Sequence, residues 1–133
     1  MKTLKEIIKQ KPVYLHDWSE KIDVIYDFED LQLAEPERQE KVVKSYDNIN
    51  ILFASYSYEN YSGDAYVLFE KNGKLFEVFG SHCSCYGLEG QFDPEEVSLE
   101  ELNIRLLNGE FGVDSYSGNE FAEELKEFLG VEQ

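Results

Sequence analysis

The side chains best suited to chemistry lie in one short run, GSHCSCYG, from Gly80 to Gly87. It holds His82, Cys83 and Cys85, and two thiolates with an imidazole are ligand types that zinc prefers. The spacing is poor for a structural zinc site, because paired cysteine ligands usually have two to four residues between them. Acidic surroundings raise a thiol pKa, which disfavours a nucleophilic cysteine. We therefore interpret the run as a tight, partly buried turn in which the cysteines act as small hydrophobic side chains.

Carboxylate pairs such as Glu95–Glu96 and Glu123–Glu124 are the next candidates for catalysis. General acid–base chemistry needs two carboxylates in different environments, with one shielded from water. These pairs are adjacent in sequence on faces that we expect to be exposed, so they are interpreted as solvated surface. The sequence has no phosphate-binding loop, serine-hydrolase elbow, zinc-protease motif or EF-hand loop. The prediction is a protein that is not an enzyme and needs no cofactor.

Charge distribution is more informative than any motif. The 133-residue chain has a formal net charge of −16 at pH 7. The last 47 residues contain 13 acidic and 2 basic residues, against 15 and 10 in the first 86. A classical nucleic-acid-binding protein needs a basic surface, and an anionic membrane would repel this chain, so both partners are disfavoured. A concentrated negative field attracts a basic partner and can imitate a phosphate backbone, although acidity can also serve solubility alone.

The second informative feature is a tyrosine-rich composition in two segments. Residues 55–63 read SYSYENYSG, and residues 115–118 repeat the pattern as SYSG. Rigid tyrosines among small polar residues are typical of antibody binding loops, whereas the alternative is a strand end followed by a turn. The predicted partner-binding residues combine these tyrosines with acidic residues of the last helix: Tyr58, Tyr61, Tyr116, Glu123, Glu124 and Glu127.

The elements that must position these residues follow from hydrophobic periodicity. Helices are predicted from Thr3 to a stop at Pro12, from Asp17 or Ser19, from Pro36 to about Tyr46, from Ser98 to Leu107, and from about Asn119 to Gly130. Strands are predicted at residues 49–58, 64–71 and 74–80. The run 81–97 shows no period.

The dipeptide Asn72-Gly73 predicts a type I′ hairpin turn, since both residues accept positive φ. A two-residue loop pairs Phe69 with Phe76 and Val67 with Val78 on one face, which must be the core face. The predicted fold is a single α+β domain over residues 1–133. Its antiparallel sheet has about three strands, with helices packed on one face and at both termini.

Several expectations concern the compartment. The N-terminal segment MKTLKEIIKQK lacks the apolar region of a signal peptide, and no apolar run approaches the length of a membrane span. Two cysteines one residue apart provide no framework of the kind seen in secreted proteins. We expect a cytoplasmic protein with reduced thiols.

The run from Gly80 to Gln91, GSHCSCYGLEGQ, followed by FDPEE, resembles a segment of small uncharacterised proteins of phages and prophages. The preceding GDAYVLFEKNGKLFEV is similar to the same group, so the resemblance covers residues 63–107. It assigns no catalytic residues. It implies an accessory protein that acts inside a bacterial cell.

Together these observations favour a non-enzymatic binding protein of phage origin. It would inhibit or divert a host protein with a basic surface, such as a nucleic-acid-handling or defence component. The first alternative is a metal-binding or redox module at His82, Cys83 and Cys85. The second is a sensing or housekeeping domain for a small ligand.

Overall fold

The fold was obtained as a computed structural model, which describes residues 1–57, 62–83, 86–109, 111 and 121–131. Its elements in chain order are α1 (Leu4–Lys9), β1 (Val13–His16), α2 (Lys21–Glu29), α3 (Pro36–Lys44), β2 (Asn50–Tyr56), β3 (Ser62–Lys71), β4 (Lys74–Cys83), β5 (Glu95–Val97), α4 (Leu99–Leu107) and α5 (Ala122–Leu129). Within these ranges, no helix has the length and apolar character needed to cross a lipid bilayer.

Local sequence signals account for most of the element boundaries. The Thr3 side chain caps α1, and the Ser98 hydroxyl accepts a hydrogen bond from the Glu101 amide at the start of α4. Pro36 occupies the first turn of α3, where its missing N–H costs nothing. The hairpin turn has φ of 55° at Asn72 and 79° at Gly73, which confirms the predicted type I′ conformation.

The sheet has five strands in the order β1-β2-β3-β4-β5, which corrects the expected count of about three. β1 pairs with β2 in parallel, and the other neighbours are antiparallel, so the sheet is mixed. The two additional strands are short edge strands of four and three residues. A strand of this length has too few residues to display an alternating pattern, and its backbone pairing comes from the neighbouring strand.

Helices cover both faces of the sheet, which corrects the expectation that they pack on one face. One core contains Leu68 and Leu75 with residues of α1, α4 and α5, and the other contains Val67 and Phe69 with residues of α2. Phe69 does pair with Phe76, and Val67 with Val78, as predicted. The opposite face of the hairpin is also buried, with Leu68 at 0% and Leu75 at 4% exposure.

A β-bulge at Leu52 assigns the side chains of β2 to the two cores. Ile51 pairs with Phe69 and Phe53 pairs with Leu68, so Leu52 has no residue opposite it on β3. Residues two apart in a regular strand share a face, but the extra residue places Ile51 in one core and Phe53 in the other. The continuous apolar run of β2 therefore serves both layers of helices.

An ion pair joins a buried carboxylate of the sheet to a partly exposed arginine of α4. Glu77 of β4 is 5% exposed, and Arg105 Nη2 donates to both of its carboxylate oxygens at 2.7 and 2.9 Å. The Tyr66 hydroxyl donates to the same carboxylate at 3.2 Å, and the Arg105 guanidinium lies 4.3 Å from the centroid of the Phe111 ring. Burial, followed by the charge of Glu77, raises the pKa of Tyr66 well above its usual range.

Arg105→Met tests the contribution of this pair. The variant leaves the Glu77 carboxylate buried without a cation, which we expect to lower the free energy of unfolding by about 3–5 kcal/mol. The double variant Glu77→Leu, Arg105→Met removes both charges and should recover much of that loss, because no uncompensated charge remains. Urea denaturation of the four proteins of this double-mutant cycle provides the measurement. An Arg105→Met protein as stable as the wild type would contradict the conclusion that Arg105 stabilises the buried Glu77 carboxylate.

Candidate acidic binding surface

The acidic residues of the last third lie in solvent wherever the structure describes them. Nine are described and all nine are exposed: Glu89, Asp93, Glu95, Glu96, Glu100, Glu101, Glu123, Glu124 and Glu127. Five of them fall within residues 93–101, which contain no basic residue. This stretch forms β5 and the first turn of α4, where acidic side chains also interact favourably with the positive end of the helix dipole.

The predicted residues Glu123, Glu124 and Glu127 are exposed on α5. Their exposure follows from amphipathic spacing, since Leu125, Phe128 and Leu129 of the same helix are buried in the core shared with α4. The helices α4 and α5 thus lie on the same side of the sheet, and β5 forms the adjoining edge strand. We call the exposed carboxylates of residues 93–101 and α5 the acidic surface.

Cations of the described chain do little to neutralise the acidic surface. Arg105 is committed to the buried Glu77, and the Lys2 ammonium donates to the carbonyls of Glu127 and Phe128 at the end of α5. Ion pairs to Glu123 and Glu96 have long N–O distances of 3.9 and 4.0 Å, from Lys126 and Lys74 respectively. Ion pairs at such distances contribute little energy, so most of the negative charge remains available to a partner.

The three tyrosines predicted as anchors, Tyr58, Tyr61 and Tyr116, lie outside the described residues. The strand that leads to the first of them is described as far as Ser57, whose amide donates to the Asp64 carbonyl at 3.0 Å. β2 and β3 therefore remain paired up to the point where residues 58–61 connect them.

His82 is a buried side chain at the far end of β4, with 2% exposure. Its Nε2 lies 2.6 Å from the Ser57 carbonyl oxygen, which can only accept, so we assign the ring proton to Nε2. The imidazole also stacks on Tyr56 with 4.1 Å between ring centroids and 4° between planes. These contacts hold the ends of three strands together, which is a structural role that its sequence context did not reveal.

Cys83 is disulfide-bonded, which contradicts the expectation of reduced thiols; the sequence contains one other cysteine, Cys85, outside the described residues. A disulfide sulfur offers no thiolate to a metal ion. Across the described ranges no group of three His, Cys, Asp or Glu side chains has the arrangement needed to hold a metal. At this end of β4, His82 therefore packs against β2, and Cys83 takes part in a disulfide bond.

Gly63 makes the close packing around His82 possible. A Cβ at this position would lie 1.9 Å from the Ser57 carbonyl oxygen and 2.9 Å from His82 Cε1. Contacts this short with backbone require the strands to move apart.

Gly63→Ala is therefore expected to lower the free energy of unfolding by about 1–3 kcal/mol, the usual cost of overpacking. Gly87→Ala is the matched control, because its Cβ would meet only the flexible end of Glu89, at 3.0 Å. We expect that control to change stability by less than about 0.5 kcal/mol. Midpoints of chemical denaturation measure both variants, and equal midpoints would contradict the packing account.

A second negatively charged site lies on the opposite side of the sheet and was missed by the sequence analysis. A cleft of about 520 Å³ is lined by Asp17, Asp23 and Asp27 together with Trp18 and Tyr26. The Trp18 indole N–H donates to Asp27 at 2.7 Å, and Asp23 accepts from the Ser19 amide at 2.9 Å. The sequence feature that could have indicated this cleft is the spacing of Asp23 and Asp27, which lie four residues apart and therefore on one face of α2.

The carboxylates of this cleft already stabilise the fold. Hydrogen bonds from Ser19, followed by one from the Glu20 amide, hold the pKa of Asp23 below its usual value. Burial, and then the charges of Asp23 and Glu20, raise the pKa of nearby Tyr14 to about 12. Because Asp23 caps α2 and Asp27 positions Trp18, we interpret this cleft as primarily structural.

Comparisons with protein-family models, with curated proteins and with solved structures find no match for this chain.

Proposed function

We propose that this protein is a non-enzymatic binding protein whose acidic surface engages a basic surface on a partner protein. The observation that carries the proposal is the exposure of every described carboxylate in the last third of the chain, with cations nearby largely committed elsewhere. A field of this kind accelerates encounter with a positively charged partner.

A long-lived complex also needs contacts that slow its dissociation, and charge attraction alone does not provide them. Aromatic anchors usually supply most of the energy of an interface, and affinity differences between related complexes arise mainly in the dissociation rate. Tyr58, Tyr61 and Tyr116 are the proposed anchors, on the grounds of their sequence context. Acidic residues would then control the association rate and tyrosines the dissociation rate.

The proposed partner is a bacterial host protein that handles nucleic acid or takes part in defence. Two features support this class. Nucleic-acid-handling proteins present basic surfaces, to which exposed carboxylates are complementary. The resemblance of residues 63–107 to proteins of phages and prophages adds a context in which blocking such a host protein is useful, an argument by association.

Charge reversal of α5 tests the proposal directly. A pull-down from bacterial lysate provides the partner, and the variant Glu123→Lys, Glu124→Lys, Glu127→Lys should then associate about tenfold more slowly at low salt. The control Glu35→Lys, Glu37→Lys, Glu40→Lys makes the same charge change at exposed positions of the α3 region, on the opposite side of the sheet.

Association rates measured from low to high salt distinguish the α5 variant from the α3 control. Rates of the wild type should fall with salt, since the field of exposed charges is screened beyond about 8 Å at physiological ionic strength. The α5 variant should lose most of that dependence and the control should keep it. Wild-type association rates that do not change with salt, or an equal loss of salt dependence in the two variants, would contradict the proposal.

A redox module is the second candidate, and the disulfide at Cys83 is the observation that favours it over a metal site. Thiol titration of the denatured protein, purified without reductant, should find no thiols, and reduction should release two. Two thiols before reduction would remove the support for this candidate.

A further inference from the structure

A cavity of about 330 Å³ opens on the α2–α3 side of the sheet. It lies between the connection from α3 to β2, the hairpin end of β3 and β4, and residues 92–94. Its volume falls within the range of small-molecule sites, although at the lower end of it. None of the predicted binding residues lines it.

Three phenylalanine rings with nearly parallel planes line this cavity. Phe69 lies 5.3 Å from Phe76 and 6.0 Å from Phe92 between ring centroids, with interplanar angles of 18° and 14°. Tyr46 closes one side and meets Phe92 edge-on at 5.1 Å. A lining rich in aromatic rings suits a planar aromatic ligand, because offset stacking adds to the burial of its surface.

Two charged side chains, Glu29 and Lys71, line the same cavity. The Glu29 carboxylate accepts a hydrogen bond from the Tyr46 hydroxyl. Burial, and then this bond, raise the pKa of Tyr46 well above its usual range, so the hydroxyl keeps its proton and remains a donor. Lys71 is the cation of the lining, and within the described chain no carboxylate forms an ion pair with it.

We propose that this cavity binds a small planar aromatic molecule with one anionic group, which pairs with the Lys71 ammonium. The aromatic lining contacts the ring system, and the Lys71 cation selects a carboxylate over a neutral group. A net charge of −16 opposes ligands with several negative charges, so the ligand class is an aromatic monocarboxylate rather than a polyphosphate. Phe92 and Pro94 of its lining flank Asp93 of the acidic surface, but none of the carboxylates of that surface lines the cavity.

Two probes of the same shape test the role of charge: 2-naphthoate, an anion, and 2-naphthamide, which is neutral. Isothermal titration should show saturable binding of both to the wild type, with naphthoate the tighter. Lys71→Met should weaken naphthoate by about two- to fivefold, as expected for one partly exposed ion pair, and leave naphthamide unchanged. Lys71→Arg should restore the preference for the anion.

Lys74→Met is the matched control. It removes one positive charge three residues away, at an exposed side chain that the cavity does not include. This variant should keep the wild-type preference, and contacts between naphthoate protons and the rings of Phe69, Phe76 and Phe92 should be seen by NMR. The proposal is overturned by absence of saturable binding, by equal affinity for the two probes, by equal effects of the two lysine variants, or by contacts elsewhere.

Discussion

Leu52 is the extra residue of β2, and its lack of a partner on β3 determines how both layers of helices pack. The bulge turns Phe53 toward the core of α1, α4 and α5 while Ile51 stays in the core of α2. In a regular strand, alternation would place Ile51 and Phe53 on one face, and the core of α1, α4 and α5 would lack the Phe53 ring. The apolar side chains of β2 are thereby divided between the two cores.

Burial of the second face has an electrostatic consequence. Glu77 lies on that face, so the fold needs a cation beside it, and Arg105 of α4 provides one. Lys2 is likewise used at the carbonyls that end α5, and Lys21 donates to the Tyr46 and Ile49 carbonyls at 2.8 Å. Three of the twelve Lys and Arg residues are thereby used within the fold. Carboxylates dominate what is left at the surface, and the proposed function rests on this imbalance.

The sequence was sufficient where local chemistry decides the structure. The caps at Thr3 and Ser98, the turn at Asn72-Gly73 and the pairing of Phe69 with Phe76 are all set by residues close in the chain. Exposure of Glu123, Glu124 and Glu127 could also be predicted, because the apolar stripe of α5 fixes which side faces solvent.

Features that depend on distant residues could not be predicted in this way. β1 and β5 acquire strand geometry from β2 and β4, and nothing in three or four residues specifies that pairing. Glu77 alternates with apolar residues in the manner of a solvent-facing side chain, and only Arg105, 28 residues later, makes its burial possible. The burial of His82 likewise depends on distant residues, because its ring contacts Ser57 and Tyr56 across the sheet.

Mapping the binding surface by NMR tests the central claim most directly, since it asks where a basic partner contacts the chain. Amide resonances of the isotope-labelled protein would be followed during titration with the partner recovered from lysate. The account predicts that the largest shifts fall in residues 93–101 and in α5, and that they diminish as salt is raised. Shifts confined to α2 and α3, on the opposite side of the sheet, would contradict it.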